Sequence, residues 1–204
     1  MHRALLEADQ TGTDTHRAAP AGLSRRAVVV SSLWLPPAVL SASLSGCQGG
    51  ASVDRQLSFD SLADAEDELG RLAAAKSIVS GAAWTWPQTL EHCAQSIEYS
   101  MAGFPEPKSR LFQSTVGAAA LGVFSWRGRM THDLAEPIPG APALAAGAGP
   151  EAALARLRTS IASFRAWSQP LQPHFAYGAL DKRSYEMAHA MHLANHLSQF
   201  KTLG

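Results

Sequence analysis

An excess of either charge is missing from this sequence: 17 Lys+Arg stand against 17 Asp+Glu over 204 residues, a formal net charge of zero. A nucleic-acid-binding surface needs basic residues in excess on one face, so nothing here points to that class. Cysteine is scarce as well. Cys47 and Cys93 are the only two, too few for a disulfide-stapled scaffold. The sequence has no CxxC pair, glycine-rich phosphate loop, G-x-S-x-G elbow or HExxH segment, which sets aside the enzyme classes built on those motifs. Charged residues make up only 17% of the chain, yet 46% is hydrophobic and five Trp, seven Phe and three Tyr are available. Composition therefore permits an ordinary packed core and argues against intrinsic disorder.

The N-terminal stretch reads as an export address. Residues 1–23 are polar and show no periodicity; Ser24-Arg25-Arg26 then leads into the apolar run Ala27–Ser43 and on to Leu44-Ser45-Gly46-Cys47. A basic end, a short apolar middle and small residues at a cleavage point are the layout of a signal peptide. The run of 17 residues is interrupted by Pro36-Pro37, and a transmembrane helix needs about 20 apolar residues. Leu44-Ser45-Gly46-Cys47 resembles a bacterial lipobox, which implies lipidation of Cys47 and cleavage before it. Arg25 and Arg26 resemble the twin-arginine export signal, although Val28 stands where that motif favours a bulkier apolar residue. Residues 1–46 are thus expected to be a signal segment and 47–57 a tether. Membrane contact would come only through the lipid, in the periplasm or cell envelope. Cys93 would be the single free thiol, and an oxidising compartment favours its burial.

From residue 58 onward the periodicity is helical. The first helix is expected over about 61–79, with Asp64, Glu66, Asp67 and Glu68 near its start, where the helix dipole favours acids. The second is expected over about 85–103, opened by a Thr85/Gln88 capping box with Pro87 in its first turn. The third spans about 108–126 and ends at Gly128; its Gly117 and Gly122 suggest close backbone packing. A Pro- and Gly-rich crossover covers 129–149. The fourth helix starts at Pro150 and runs to about 167, and the last covers about 182–203. An all-α fold follows: a four-helix bundle with one long crossover and an extra helix, over 58–204.

Six histidines lie after the expected cleavage point: His92, His132, His174, His189, His192 and His196. Residues four apart share a helix face, so His192 and His196 can offer two imidazoles to one ion. Tyr185, His189, His192, His196 and Gln199 fall within a stripe about 80° wide, as a pocket lining would. Hydrogen-bonded core histidines have the same spacing, so spacing alone leaves both readings standing. Catalytic zinc usually takes three protein ligands, and His92 is the best third candidate. Its face carries Thr89, Ser96 and Tyr99, while Glu91 and Glu98 point about 100° away, on the charged surface face. That placement suits a pocket rim and equally a partly exposed helix side. His132 and His174 read as loop histidines bonded to backbone.

The segments Trp86-Pro87-Gln88-Thr89-Leu90-Glu91-His92-Cys93-Ala94 and His192-x3-His196-x2-Gln199-Phe200 resemble the DinB/YfiT-like superfamily. More narrowly, they resemble a branch of unknown function that includes exported lipoproteins and shares the Tyr177-Gly178-Ala179-Leu180 turn. The resemblance covers most of residues 80–203 and implies a four-helix bundle with a divalent metal on His92, His192 and His196. Zn²⁺ or Ni²⁺ suits three imidazoles, and Gln199 and Tyr99 are candidates to orient them. Many relatives carry another His just before the last ligand, where this chain has Asn195. The implied activity is metal-dependent hydrolysis or transfer on a small-molecule substrate that the sequence does not identify. No catalytic residue other than the ligands is identifiable. A non-enzymatic metal-binding or structural envelope lipoprotein is the alternative, and a homodimer is open because many superfamily members pair through helices.

Overall fold

The computed structural model describes residues 53–144 and 149–203. The signal segment, Arg25, Arg26 and the lipobox Cys47 lie outside the described residues. The fold is mostly helical. Helices α1 (Leu62–Ala73), α2 (Trp86–Ala102), α5 (Pro150–Ala166) and α6 (Lys182–Leu197) supply its core. Between α2 and α5 a further helix runs continuously through α3 (Arg110–Phe112), a π-helical turn (Gln113–Gly117) and α4 (Ala118–Arg127).

Local chemistry sets the helix starts. Ser61 and Asp64 form a capping box on α1, Thr85 and Gln88 form another on α2, and Asp181 accepts from the Ser184 N–H at 2.7 Å to open α6. Each cap satisfies orphan N–H groups, for about 0.5–2 kcal/mol. Leu62, Ala65, Leu69 and Leu72 form the buried stripe of α1 and meet Leu157, Ile161 and Phe164 of α5 and Leu193 and Leu197 of α6. Each fully buried Leu, Ile or Phe contributes about 1.5–3 kcal/mol through its area removed from water.

Helix α2 is the central element, buried from Thr89 through Ile97 on every side. It packs most extensively against α5. Glu91 and Glu98, expected to point outward, both pair instead with Arg156 of α5. Ser160 Oγ also donates to Glu98 Oε1 at 2.7 Å. The partner lies on a helix 58 or more residues away, so the acids' own helix gives no sign of it. Cys93 is buried and free, as expected, and burial pushes its thiol pKa up.

Three boundaries differ from the sequence expectation. α1 stops at Ala73, and Ile78–Ser80 forms a strand, β1, instead of a last helical turn. α6 stops at Leu197, and Phe200–Thr202 forms β2, antiparallel to β1 with Ser80 opposite Phe200 and Ile78 opposite Thr202. Strands of three residues are too short to show alternation, and their pairing spans over a hundred residues of chain. Finally, residues 53–57 do not behave as a free tether. Arg55 pairs with Glu68 and donates to Leu197 O at 2.9 Å, and the Leu57 N–H donates to Ser198 Oγ at 2.9 Å.

The π turn has a positional reason. It presents Gly117 to the 174–178 turn, where a Cβ would lie 1.9 Å from Ala176 O. Gln113, on the same turn, donates through Nε2 to Phe175 O at 3.2 Å. Gly117 is therefore required by close approach, as expected; Gly122, with nothing within 4 Å of its Cβ position, is not. We expect Gly117→Ala to destabilise the fold by about 1–3 kcal/mol, the usual cost of overpacking, and Gly122→Ala to leave it unchanged or slightly more stable. Thermal melts of the two variants check this. The outer face of the same helix leaves Leu111, Val116, Val123 and Trp126 exposed.

Candidate metal centre

Two helices and two loops converge at one end of α2. Helix α2 brings His92, and α6 brings His192 and His196 one turn apart. One nitrogen from each ring lies within 4.8 Å of the others. His92 Nε2 and His192 Nε2 face each other at 3.2 Å. Two nitrogens bound to one tetrahedral ion at about 2.0–2.1 Å would stand about 3.3 Å apart, so this pair is already at ligand spacing. The ring centroids of the trio are 4.7 to 5.1 Å apart.

The trio is buried but badly satisfied by protein. His92 and His196 are 3% and 2% exposed, and His192 is partly buried. Among the described residues His92 Nδ1 and His196 Nε2 are buried without a hydrogen-bond partner, and each such orphan costs about 1–3 kcal/mol. Burial, and then the neighbouring imidazoles, push all three rings well below the ordinary histidine range, His92 to about 3. Neutral rings keep their lone pairs, the form in which imidazole binds metal. The donor set, the spacing and the unpaired Nε2 of His196 fit a divalent ion with nitrogen preference.

Two neighbours of the trio were not expected there. Trp84, just before α2, stacks on His196 with centroids 5.9 Å apart and planes 7° off parallel, and lies 4.7 Å from His92. His132, on the crossover, does bond to backbone as expected: its Nδ1–H donates to Asp133 O at 2.8 Å. That bond leaves Nε2 bare, and the ring sits 5.2 Å from both His192 and His196. The crossover is held over α2 by Gln95, whose Nε2 donates to Pro142 O at 3.2 Å. A long loop returning over the bundle leaves no local pattern, so His132 could not be placed from spacing.

The residues expected to orient the ligands stand elsewhere. Tyr99 packs against Phe104, and Gln199 pairs through its backbone, accepting from the Gly81 N–H at 2.9 Å. Among the described residues neither side chain hydrogen-bonds a ring of the trio. Tyr99 is about two helical turns beyond His92, and Gln199 follows the end of α6, where the chain turns into β2. His174 bonds to backbone as expected, accepting at Nδ1 from the Ala176 and Tyr177 N–H groups at 3.1 and 3.2 Å.

Beside the trio lies a cavity of about 200 Å³, lined by His92, His132, His174, His189 and His192. Met130, Ile138, Phe175 and Ala188 make its walls largely apolar. The arrangement is a helical domain with a neutral, buried histidine trio opening on a small cavity, a site that can hold a metal ion. The chain belongs to the family described as "Protein of unknown function (DUF1569)", whose model matches residues 51–202. No curated protein and no solved structure matches it.

Proposed function

We propose that this protein is an exported, lipid-anchored metalloprotein of the DinB-like kind. In this reading His92, His192 and His196 hold a divalent ion, Zn²⁺ or Ni²⁺, that serves hydrolysis or group transfer on a small molecule. The observation that carries the reading is the convergence of three neutral imidazoles, one nitrogen of each within 4.8 Å of the others, two of them (His92 and His192) at the wall of a cavity. An ion bound there supplies Lewis acidity. The chain's own residues do the rest: apolar walls exclude water, Trp84 holds His196 against rotation, and the backbone bond of His132 fixes its tautomer beside the trio.

Export and anchoring rest on the signal layout and on Leu44-Ser45-Gly46-Cys47. The twin-arginine route carries folded proteins, so the ion can be loaded before export. The exposed apolar face of α3 and α4 leaves room for the homodimer that the resemblance implies.

A screen of ester, amide and thiol-conjugate substrates tests the activity. Metal-loaded protein should turn over at least one class, and His192→Ala should lose at least a hundredfold of that rate. A fully metal-loaded protein inert toward every class would replace catalysis with metal binding alone.

A further inference from the structure

The cavity is also lined by two histidines that the proposed trio does not use, His174 and His189. His189, on α6 one turn before His192, is 2% exposed and lines the cavity. Its Nε2 is buried and has no partner among the described residues. The ring is fixed by stacking on Tyr185 at 5.4 Å and by the edge-on ring of Phe164 at 5.2 Å. A buried polar nitrogen clamped in place and left unpaired lacks the partner that such groups nearly always have.

His174 lines the same cavity and is equally fixed. Tyr177 stacks on it at 4.2 Å with planes 8° off parallel. Two backbone N–H groups donate to its Nδ1, so the neutral ring must carry its proton on Nε2. Among the described residues no acceptor takes that proton. His174 is thus a fixed donor, whereas His189 can offer a donor or an acceptor according to tautomer.

The rest of the lining narrows the ligand class. Among the described residues no Lys or Arg reaches the cavity, and the one carboxylate, Glu136, belongs to an exposed residue. An anionic group would enter without a counter-charge, and an ammonium would leave water for two neutral rings. An uncharged group that accepts from His174 and suits either tautomer of His189 is a carboxamide: carbonyl oxygen toward a donor, amide N–H toward an acceptor. The space of about 200 Å³ leaves room for a small ring or short chain beside it.

We infer that this cavity is a binding site for a small uncharged carboxamide with an apolar body, held by His174 and His189 beside the histidine trio. As a statement about substrate it rests on the metal reading above; as a binding site it does not.

Benzamide, benzoate and benzylamine share one ring and differ in charge, so titrating each into the purified chain by calorimetry tests the inference. Benzamide should bind with a Kd of about 1 mM or tighter, and the two charged probes at least tenfold more weakly. His174→Asn keeps an oxygen to accept the two backbone N–H groups while deleting the donor, and His189→Leu replaces the orphaned nitrogen with an apolar group. Each should weaken benzamide at least tenfold. Should His174→Asn fail to fold, His189→Leu alone decides. Benzamide that does not saturate, benzoate that binds as well, or variants that bind benzamide undiminished would overturn the inference. Repeating the titration on chelator-stripped protein and on His196→Ala separates the two readings. Benzamide bound where zinc is not retained by the wild type leaves the cavity standing and removes the metal. Zinc retained without benzamide does the reverse.

Discussion

His196→Ala is expected to lose its divalent ion, with affinity reduced by more than the roughly 10–100-fold that follows removal of an outer partner of a metal ligand. The reason is geometric. His196 supplies one of the three nitrogens gathered within 4.8 Å, and among the described residues its Nε2 has no other partner. A two-histidine remnant is short of the three protein ligands usual at an open zinc site. His92→Ala should behave alike, because the 3.2 Å pair with His192 disappears. Competition titration with a chromophoric zinc chelator reads both variants. His174→Asn, in the cavity lining, should retain the wild-type zinc affinity, which shows that the loss is specific to the trio. Equal zinc binding by wild type and His196→Ala would rule out ligation by that ring.

The second large effect is acid sensitivity. Burial pushes His92, His174 and His189 down to about 3, whereas an unfolded chain titrates its histidines near 6.5. Between those values the unfolded state binds protons that the folded state refuses. Stability therefore falls as pH drops through that window and is level above it. Each ring contributes about 1.4 kcal/mol per pH unit, so three together remove several kcal/mol by pH 5, a large share of a typical stability of about 5–15 kcal/mol. His192 and His196, also lowered, act in the same direction. Metal-free protein should thus unfold in mild acid, well above the carboxylate range. Urea titrations between pH 7 and pH 4 measure the slope, and His189→Leu should flatten it by about one proton. A stability independent of pH over that range would mean that the rings protonate within the fold.

What sequence made legible was whatever is decided within one turn of chain. The Thr85/Gln88 box, Pro87 and Pro150 fix helix starts locally, and the structure places α2 and α5 accordingly. The spacing of His192 and His196 on one helix face is likewise local. His92 was placed on the correct helix, but only packing shows that the helix is covered on all sides. Features that need a distant partner were invisible. Arg156 turns Glu91 and Glu98 from an outward face into an interhelical network. β1 and β2 exist only as a pair, and they shorten both helices that flank them. His132 joins the trio through a loop whose path over α2 depends on one Gln95 bond to Pro142 and on the burial of Met130 and Ile138. Gly117 shows a mixed case: glycine in a helix signals close approach, yet only the fold reveals that Ala176 is what approaches.

X-ray absorption at the zinc edge, on chelator-stripped protein reloaded with zinc, tests the central claim most directly. Three imidazole nitrogens at about 2.0–2.1 Å, with the outer-shell scattering of histidine rings, is the result this account predicts. A shell of oxygens without imidazole scattering, or a protein that retains no zinc after buffer exchange, would contradict it.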